Sequence, residues 1–419
     1  MALDTGGAAA SNRCERHVPP RAIMGEKNSA LPRREAHGFG ARAHQVPRAW
    51  RSCMTDGTTR MAPGGVTRRE AVALLGGVAL GAATLGLCGC GSDAGADAKA
   101  AGASKADARR RRGDFRIGVL EIADHAALRR TRKGFVQALD AAGVTHRLDV
   151  QVAQNDFLAC QGMAAGFSGG EHDLILALGT PAAQAAVGAT SNVPIVAAAV
   201  TDLAAAGLLD DAKRPGGNVT GAADLTPVER QFDLLRQLVP GAGRVGILYC
   251  SQESNSEVQA SMAEDAATAR GLATTRYRVA GADELEAAVR SMAGKVDACY
   301  VPTDNTVAAS MGKVAAQARA ARLPLVCGEA GMVEAGGLAT VGIDYLELGK
   351  AAGNMAAHVL ARVQREARRR KRDAATPQPT ADMAVWSPEG APSVLVNQET
   401  ARALGIDASA LDTASLERA

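Results

Sequence analysis

Aromatic residues are scarce in this chain of 419 residues, since Phe, Trp and Tyr together make up 3% of it. Any binding pocket therefore has few aromatic walls of its own. Hydrophobic residues nevertheless account for 47% of the sequence. They are enough to bury a sizeable core, and the many alanines and glycines favour close packing of helices on sheets. The length predicts two or three domains.

A long uninterrupted apolar run is also missing. The longest, residues 71–87, contains four glycines and falls short of the roughly 20 residues that a membrane-spanning helix needs. Arg68 and Arg69 precede it, and this order is typical of a secretory signal peptide. The start Thr67-Arg68-Arg69 also resembles a twin-arginine export signal. We expect residues 67–90 to be a signal peptide.

The end of this segment resembles the lipobox of bacterial lipoproteins. Leu87, Gly89 and Cys90 fit its Leu-x-Gly-Cys form. Cys88 fits less well, because Leu87 would then occupy the position that normally holds Gly or Ala. The resemblance implies a lipid on Cys90, which anchors an extracytoplasmic protein to the membrane. Residues 91–113 are then a flexible tether.

Residues 1–66 precede this signal and show no hydrophobic periodicity. Because a secretory signal is normally N-terminal, we expect Met54 or Met61 to be the true start. The earlier residues are then a doubtful, disordered leader to which no function is assigned.

Arginines cluster at 109–112 and again within 362–372. Neither run is interleaved with aromatic residues or accompanied by a nucleic-acid-binding motif. Like-charge blocks are usually solvated. We therefore expect both runs to be solvated linkers, and no nucleic acid as a partner.

Metal-binding patterns are absent from the sequence as well. Cys250, Cys299 and Cys327 lie in or beside apolar, strand-like runs, where a free Cys behaves as a small hydrophobe. No Cys-x-x-Cys pair or His partner accompanies them or Cys160. We expect no metal site and no cofactor.

From residue 115 onward, strand-like and helix-like segments alternate, and the alternation restarts after "GGNVTGAADLTP". This βαβ series predicts an α/β fold with two doubly wound parallel-sheet lobes. The expected boundaries are 114–222 plus 343–375 for lobe 1 and 223–342 plus 385–410 for lobe 2.

Polar side chains follow several of the predicted strands. The segment "YVPTDNTVAAS", residues 300–310, begins as a buried strand and then breaks into a polar cluster before helical spacing resumes. Ligands of open parallel sheets bind beyond the carboxyl ends of the strands. We therefore expect this cluster to form one wall of a cleft for a small polar solute. A polar residue at any single strand end can instead cap the next helix.

The chain contains, in order, "DLILALGTPAAQAAV", "VPIVAAAVTDLAAAGLL", "RPGGNVTGAADLTPVERQFDLLRQLVP", "KVDACYVPTDNTVAAS" and "GGLATVGIDYLELGKAAGNMA". Together these segments resemble ABC-transporter substrate-binding lipoproteins of the tryptophan/tyrosine type. The resemblance implies a periplasmic-binding-protein fold of type I, with two lobes joined by a hinge that close on a solute. It also implies a monomer whose partners are the ABC permease and ATPase subunits.

For ligand binding, the resemblance implies an amino-acid-like solute, aromatic or large and apolar. Thr180 and the amides of Ala182 and Ala183 would hold its carboxylate, while Asp304 or Asp344 would pair with its ammonium group. The expected binding residues are Thr180, Pro181, Ala182, Ala183, Thr201, Asp202, Glu253, Asn255, Ser256, Thr303, Asp304, Asn305, Thr306, Glu329, Asp344 and Tyr345.

One segment departs from the family pattern. Residues 328–333 are "GEAGMV" where the family usually shows a run such as Gly-Asp-Thr-Asp-Ser. Glu329 would substitute as an acid, but Gly331 and Met332 remove hydroxyls, so the side-chain end of the ligand is expected to differ. Another small zwitterion or a nucleoside-like solute is the alternative.

Two other function classes, an enzyme and a lipid-tethered sensor, are alternatives to solute binding for transport. An enzyme would need catalytic partners for His125, the histidine at a predicted strand end. The chain offers no His-Glu-x-x-His motif, and no Gly-x-Gly-x-x-Gly follows the first strand. We expect no catalysis. A lipid-tethered sensor for the same solutes is the other alternative, which the sequence does not separate from transport.

Overall fold

The computed structural model describes residues 105–369, 377–388 and 391–417. The leader 1–66, the signal peptide 67–90 with Cys90, and residues 91–104 of the tether lie outside this range. All described residues belong to one compact unit, Cys88–Ala419. No helix in the described part of the chain has the length and apolarity needed to cross a membrane.

The first lobe is built on a sheet of five parallel strands in the order β2-β1-β3-β4-β5. These are β1 Asp114–Glu121, β2 Thr145–Val152, β3 Leu174–Leu178, β4 Ile195–Val200 and β5 Val219–Ala223. Every residue of β3, β4 and β5 is buried, whereas the edge strand β2 is partly exposed along its length. Continuous burial of this kind is typical of parallel strands covered on both faces.

Four helices cover this sheet: α1 Ala126–Ala141, α2 Phe157–Phe167, α3 Thr180–Ala189 and α10 Tyr345–Arg368. Helices α1 and α10 approach so closely that their backbones touch. A Cβ atom on Gly349 would lie 2.1 Å from the carbonyl oxygen of Thr131, and one on Gly134 would lie 2.1 Å from that of Leu346. Glycine is therefore required at both positions, and this contact joins the late helix α10 to the first lobe.

The second lobe is built on a six-stranded sheet in the order β11-β10-β9-β8-β6-β7. Its strands are β6 Arg244–Cys250, β7 Ala273–Val279, β8 Ala298–Val301, β9 Leu325–Cys327, β10 Ala339–Gly342 and β11 Ser393–Val396. All pairs are parallel except β10 with β11, which is antiparallel. Its helices are α4 Val228–Leu238, α5 Ser254–Ala269, α6 Leu285–Met292, α7 Asn305–Ala309, α8 Met311–Ala320, α9 Ala330–Glu334, α11 Gln398–Leu404 and α12 Thr413–Leu416.

The predicted α/β class with two parallel-sheet lobes is confirmed. Two strands were missed in the sequence. The sequence carries no strong signal for β5, because "VTGAA" has little apolar bulk, or for β11, which is only four residues long. The chain passes between the sheets at residues 224–227 and 343–344, and again between Trp386 and β11.

Two boundary expectations and the linker interpretation of the arginine runs need correction. Residues 385 and 386, expected in lobe 2, lie beside β5, where the Trp386 amide donates to the carbonyl of Gly221 at 2.9 Å. Residues 105–112, expected in the tether, are helical. Neither arginine run is simply a solvated linker. Arg109 and Arg110 pair with the buried Asp173, and residues 362–368 continue helix α10.

Candidate functional site

Glu253 organises the polar loop that follows β8. Its buried carboxylate accepts hydrogen bonds from the backbone amide and hydroxyl of Thr306, both at 2.9 Å. It also accepts from the amide and the side-chain nitrogen of Asn305, at 3.1 and 2.6 Å. All four donors belong to Asn305 and Thr306 in the first turn of α7, so Glu253 fixes the position of this polar turn.

Asp304 is committed to its own lobe rather than to a ligand. One carboxylate oxygen accepts from the Val307 amide at 2.8 Å and thereby caps α7. The other accepts from the Cys250 amide and the Ser256 hydroxyl, each at 2.7 Å. Burial, and then the neighbouring Glu253 carboxylate, raise the pKa of Asp304 well above its usual range. Both of its carboxylate oxygens therefore already have partners, and neither is left unpaired for the ammonium group of a ligand.

Asp344 does not supply that pairing either. It is exposed and caps α10 through the amides of Leu346 and Glu347, at 2.7 and 3.3 Å. Asp224, at the end of the unpredicted strand β5, lies at the cleft instead. It is buried and accepts the hydroxyl of Tyr345 at 2.8 Å. Burial raises the pKa of Asp224 to about 6, although hydrogen bonds from Tyr345 and Thr201 lower it in part.

A small pocket between the lobes, called the cleft pocket here, has about 10 Å³ of free space, roughly the room for one water molecule. Because a small-molecule site usually encloses about 300–1,000 Å³, a larger ligand requires the lobes to move apart. Of the expected residues, it is lined by Thr201, Asn255, Thr303, Asp304, Asn305, Glu329 and Tyr345. It is also lined by residues that were not predicted to bind ligand: His125, Ala127, Leu128, Ala199, Asp224, Ala308 and Met332.

Three buried acceptor atoms in the cleft pocket have no hydrogen-bond partner within the described part of the chain. They are Oδ1 of Asp224, Oδ1 of Asn255 and Nδ1 of His125. The orientation of Asn255 follows from its Nδ2, which donates to the carbonyl of Thr303 at 3.0 Å. Buried polar atoms are almost always paired, and these three are free to accept a hydrogen bond from a ligand or from water.

The role of His125 as an acceptor follows from its neighbour. Its Nε2 lies 3.1 Å from Oδ1 of Asn305, whose Nδ2 is already donated to Glu253. Nε2 therefore carries the proton, and Nδ1 is left as an acceptor. Burial lowers the pKa of His125 to about 4, so the ring is neutral at pH 7.

A second pocket adjoins the first, since Thr201 and Asn255 line both. Thr180 and Asp202 also line it, although Asp202 caps a turn through the amides of Ala204 and Ala205. The expected residues that line neither pocket are Pro181, Ala182, Ala183, Glu253, Ser256, Thr306 and Asp344. Of these, Ala182 and Ala183 are buried in the first turn of α3.

Backbone strain accompanies the pocket at Ala199. This residue has a φ of 53° at the irregularity where β4 shifts its register against β5. A left-handed conformation is unfavourable for a residue with a Cβ, and such strain concentrates at binding sites. The bulge turns the end of β4 so that Ala199 and Thr201 both line the cleft pocket.

Side chains of the two lobes touch across the cleft. Arg130 of α1 donates to both carboxylate oxygens of Glu334 at 2.7 Å, and Gln259 donates to the Thr201 hydroxyl at 3.0 Å. Together with the contact between His125 and Asn305, these bonds hold the lobes in a closed arrangement.

The family model described as "ABC transporter substrate binding protein" matches residues 116–367 of the chain. The chain belongs to this family. Its members bind substrates and are not an enzyme family, and the expected resemblance to the tryptophan/tyrosine type is confirmed. The curated relative "Tyrosine-binding protein" of Clostridioides difficile is 36% identical over 278 residues, which cover 65% of this chain and 79% of the relative.

Solved structures agree with this assignment. An ABC domain from Streptococcus pneumoniae in complex with L-Trp is 32% identical and gives a TM-score of 0.65, covering 73% of this chain and 98% of that one. A ligand-free, open substrate-binding protein with adhesive properties from Clostridium difficile is 35% identical and gives a TM-score of 0.52. The match covers 71% of this chain and 97% of that one. The fold expectation of a type I periplasmic-binding-protein is thereby confirmed.

One Gly-x-Ser-x-Gly spacing, a pattern found around catalytic serines, occurs in the described part of the chain. Ser168, within the only Gly-x-Ser-x-Gly spacing there, ends α2 and donates to the carbonyl of Ala165 at 2.7 Å instead of meeting a base. No group of three or more His, Cys, Asp or Glu residues in the described ranges is placed to hold a metal ion.

Proposed function

We propose that this protein binds a single free amino acid of the tryptophan or tyrosine kind in the cleft pocket. The observation that carries the proposal is the set of three buried acceptors on Asp224, Asn255 and His125. An α-ammonium group has three N–H donors, so it can satisfy all three acceptors. Asp224 supplies the negative charge that such a group requires.

The remaining walls suit the other parts of an amino acid. Leu128, Ala308 and Met332 offer apolar surface to a side chain. Thr180, the first residue of α3, lines the adjoining pocket and offers a hydroxyl near the positive end of that helix to a carboxylate. The ligands of relatives, L-Trp in one solved structure and tyrosine in the name of the curated protein, support an aromatic side chain.

We further propose that the protein works as the extracytoplasmic lipoprotein of an importer. In this role a lipid on Cys90 anchors it to the membrane, and the monomer delivers its ligand to an ABC permease with its ATPase. The lipobox-like sequence and the family support this role. Replacing Cys90 with Ser should release the protein from membranes, and deleting its gene should abolish ligand uptake; normal uptake would favour the sensor alternative.

The test of ligand class is thermal unfolding of the chain from Gly91 to Ala419 with each of the twenty amino acids, nucleosides and small sugars. A ligand at about 100 times its Kd stabilises the folded state by about 2.7 kcal/mol, which is a shift of several degrees. We expect such a shift with L-tryptophan or L-tyrosine. The matched control is the N-acetyl derivative of the same amino acid, which has lost the ammonium group and should give no shift. A shift with the N-acetyl derivative would contradict the proposed role of the three acceptors.

A further inference from the structure

The two arginine-rich runs, separated by about 250 residues of sequence, lie side by side at one end of the first lobe. The Nε of Arg111 donates to the carbonyl of Ala367 at 2.8 Å. The Nε of Arg368 donates back to the carbonyl of Arg111 at 3.2 Å. Helix 105–112 is thus held against the last turns of α10.

The contacts divide these cations into two groups. Arg109 and Arg110 point inward and pair with the buried Asp173 at 3.0 and 2.5 Å. The other group is exposed and is called the basic face here. It consists of Lys105, Arg111, Arg112, Arg365, Arg368 and Arg369.

The basic face has a strong excess of positive charge. The six residues of the basic face carry a formal charge of +6, and the two segments that supply them, residues 105–112 and 362–369, contain only two acids, Asp107 and Glu366. The whole chain has a formal net charge of only +3. So concentrated a charge creates a local field that attracts polyanions.

The position of the basic face indicates which polyanion it meets. Lys105 follows Cys90 by 15 residues, so even a fully extended connection of about 3.5 Å per residue keeps this end within about 50 Å of an anchor at Cys90. The first described helix is therefore the folded element closest in sequence to the proposed anchor. Neither 105–112 nor 362–369 contains an aromatic residue on which a nucleobase could stack.

We propose that the basic face docks the first lobe on anionic phospholipid headgroups of the membrane to which the chain is anchored. This inference rests on the lipid anchoring proposed above, but the docking itself needs only the folded chain. Helix α10 has 24 residues, a length of about 36 Å, so the basic face at its end lies far from Tyr345 in the cleft pocket. Docking therefore leaves ligand binding unaffected.

The test is co-sedimentation of the unlipidated chain Gly91–Ala419 with vesicles of phosphatidylcholine, with or without about 30% phosphatidylglycerol, in about 0.1 M salt. The test variant is R112Q/R365Q/R369Q, which leaves Asp173 and the backbone contacts of Arg111 and Arg368 intact. Each cation near an anionic surface contributes about fivefold to binding, so the variant should bind phosphatidylglycerol vesicles about 100-fold more weakly.

Two controls make the result specific. The variant K295Q/K313Q/R322Q removes the same charge from exposed positions on the second lobe and should bind vesicles like the wild type. The variant R112K/R365K/R369K keeps the charge and should also bind normally.

The proposal is overturned if wild-type protein ignores phosphatidylglycerol, if both triple Gln variants lose binding equally, or if a DNA duplex binds while vesicles do not. Affinity for L-tryptophan and L-tyrosine is measured on every variant. Vesicle binding without amino-acid binding would refute the proposed ligand but not the docking on lipid. Amino-acid binding without vesicle binding would refute the docking alone.

Discussion

Replacing Asp224 with Asn separates its two expected effects, on ligand binding and on folding. In the wild type, Oδ2 of Asp224 accepts the Tyr345 hydroxyl at 2.8 Å. The substitution keeps an oxygen that can accept this hydroxyl and removes the buried negative charge. Removing one partner of a buried charged hydrogen bond typically costs about 2–5 kcal/mol. We therefore expect the Kd for L-tryptophan or L-tyrosine to rise by at least about 30-fold, measured by titration calorimetry.

The same substitution should stabilise the ligand-free protein at high pH. Burial raises the pKa of Asp224 from 3.8 to about 6. Between these values the folded protein holds a proton that the unfolded chain has lost, so folding stability falls as the pH rises through this window. At about 1.4 kcal/mol per pH unit, the full penalty above pH 6 is about 3 kcal/mol. About half of it develops between pH 5 and pH 8.

The assay is urea unfolding of wild type and D224N at pH 5 and pH 8 without ligand. The stability of D224N relative to wild type should rise by about 1.5 kcal/mol between the two pH values. The matched control is D344N, because Asp344 is an exposed helix cap and Asn caps helices equally well. A Kd for D224N within about threefold of wild type, or parallel pH profiles, would refute the assignment of Asp224.

Three further substitutions test the surrounding structure. Gly179→Ala places a Cβ atom 2.7 Å from Cγ2 of Ile122, at a φ of 91° that disfavours a side chain. The unfolding free energy measured in urea should therefore fall by about 1–3 kcal/mol, and an unchanged urea midpoint would show that the strand end can relax. Asp304→Ala leaves three buried donors without their acceptor and should lower the unfolding free energy by at least about 2 kcal/mol, whereas a direct ligand contact alone would change affinity and not stability. Arg130→Gln breaks the ion pair with Glu334 across the cleft. Affinity for the amino acid should fall by up to about fivefold at low salt and by less at high salt, and a loss that does not depend on salt would contradict a role for this ion pair in holding the lobes together.

The fold was accessible from the sequence because its signals are local and repeated. Buried parallel strands such as β3 and β4 are continuous apolar runs, and the helices between them keep a 3.6-residue period. β5 and β11 lack these signals. β5 is a strand only because its backbone pairs with β4, and β11 only because it pairs with β10.

The candidate site was accessible only in part. Polar residues at strand ends, such as Thr201 and Asn255, do line the cleft pocket. The sequence could not tell a ligand contact from a helix cap, since Asp is also a favoured N-cap residue. Asp304 and Asp344 both cap helices, although Asp304 also lines the cleft pocket, and Asp224, behind an unrecognised strand, lines it with an unpaired oxygen.

The sequence by itself determined the architecture, the family and the strand ends that surround the cleft, because each of these depends on patterns within short stretches of chain. Tertiary structure alone decided which acceptors stay unpaired in the pocket. It alone also decided which arginines pair with Asp173 and which form the basic face. The physical reason is the same in both cases. Whether a polar or charged group is free for a ligand depends on burial and on partners tens or hundreds of residues away, and the folded chain alone brings these together.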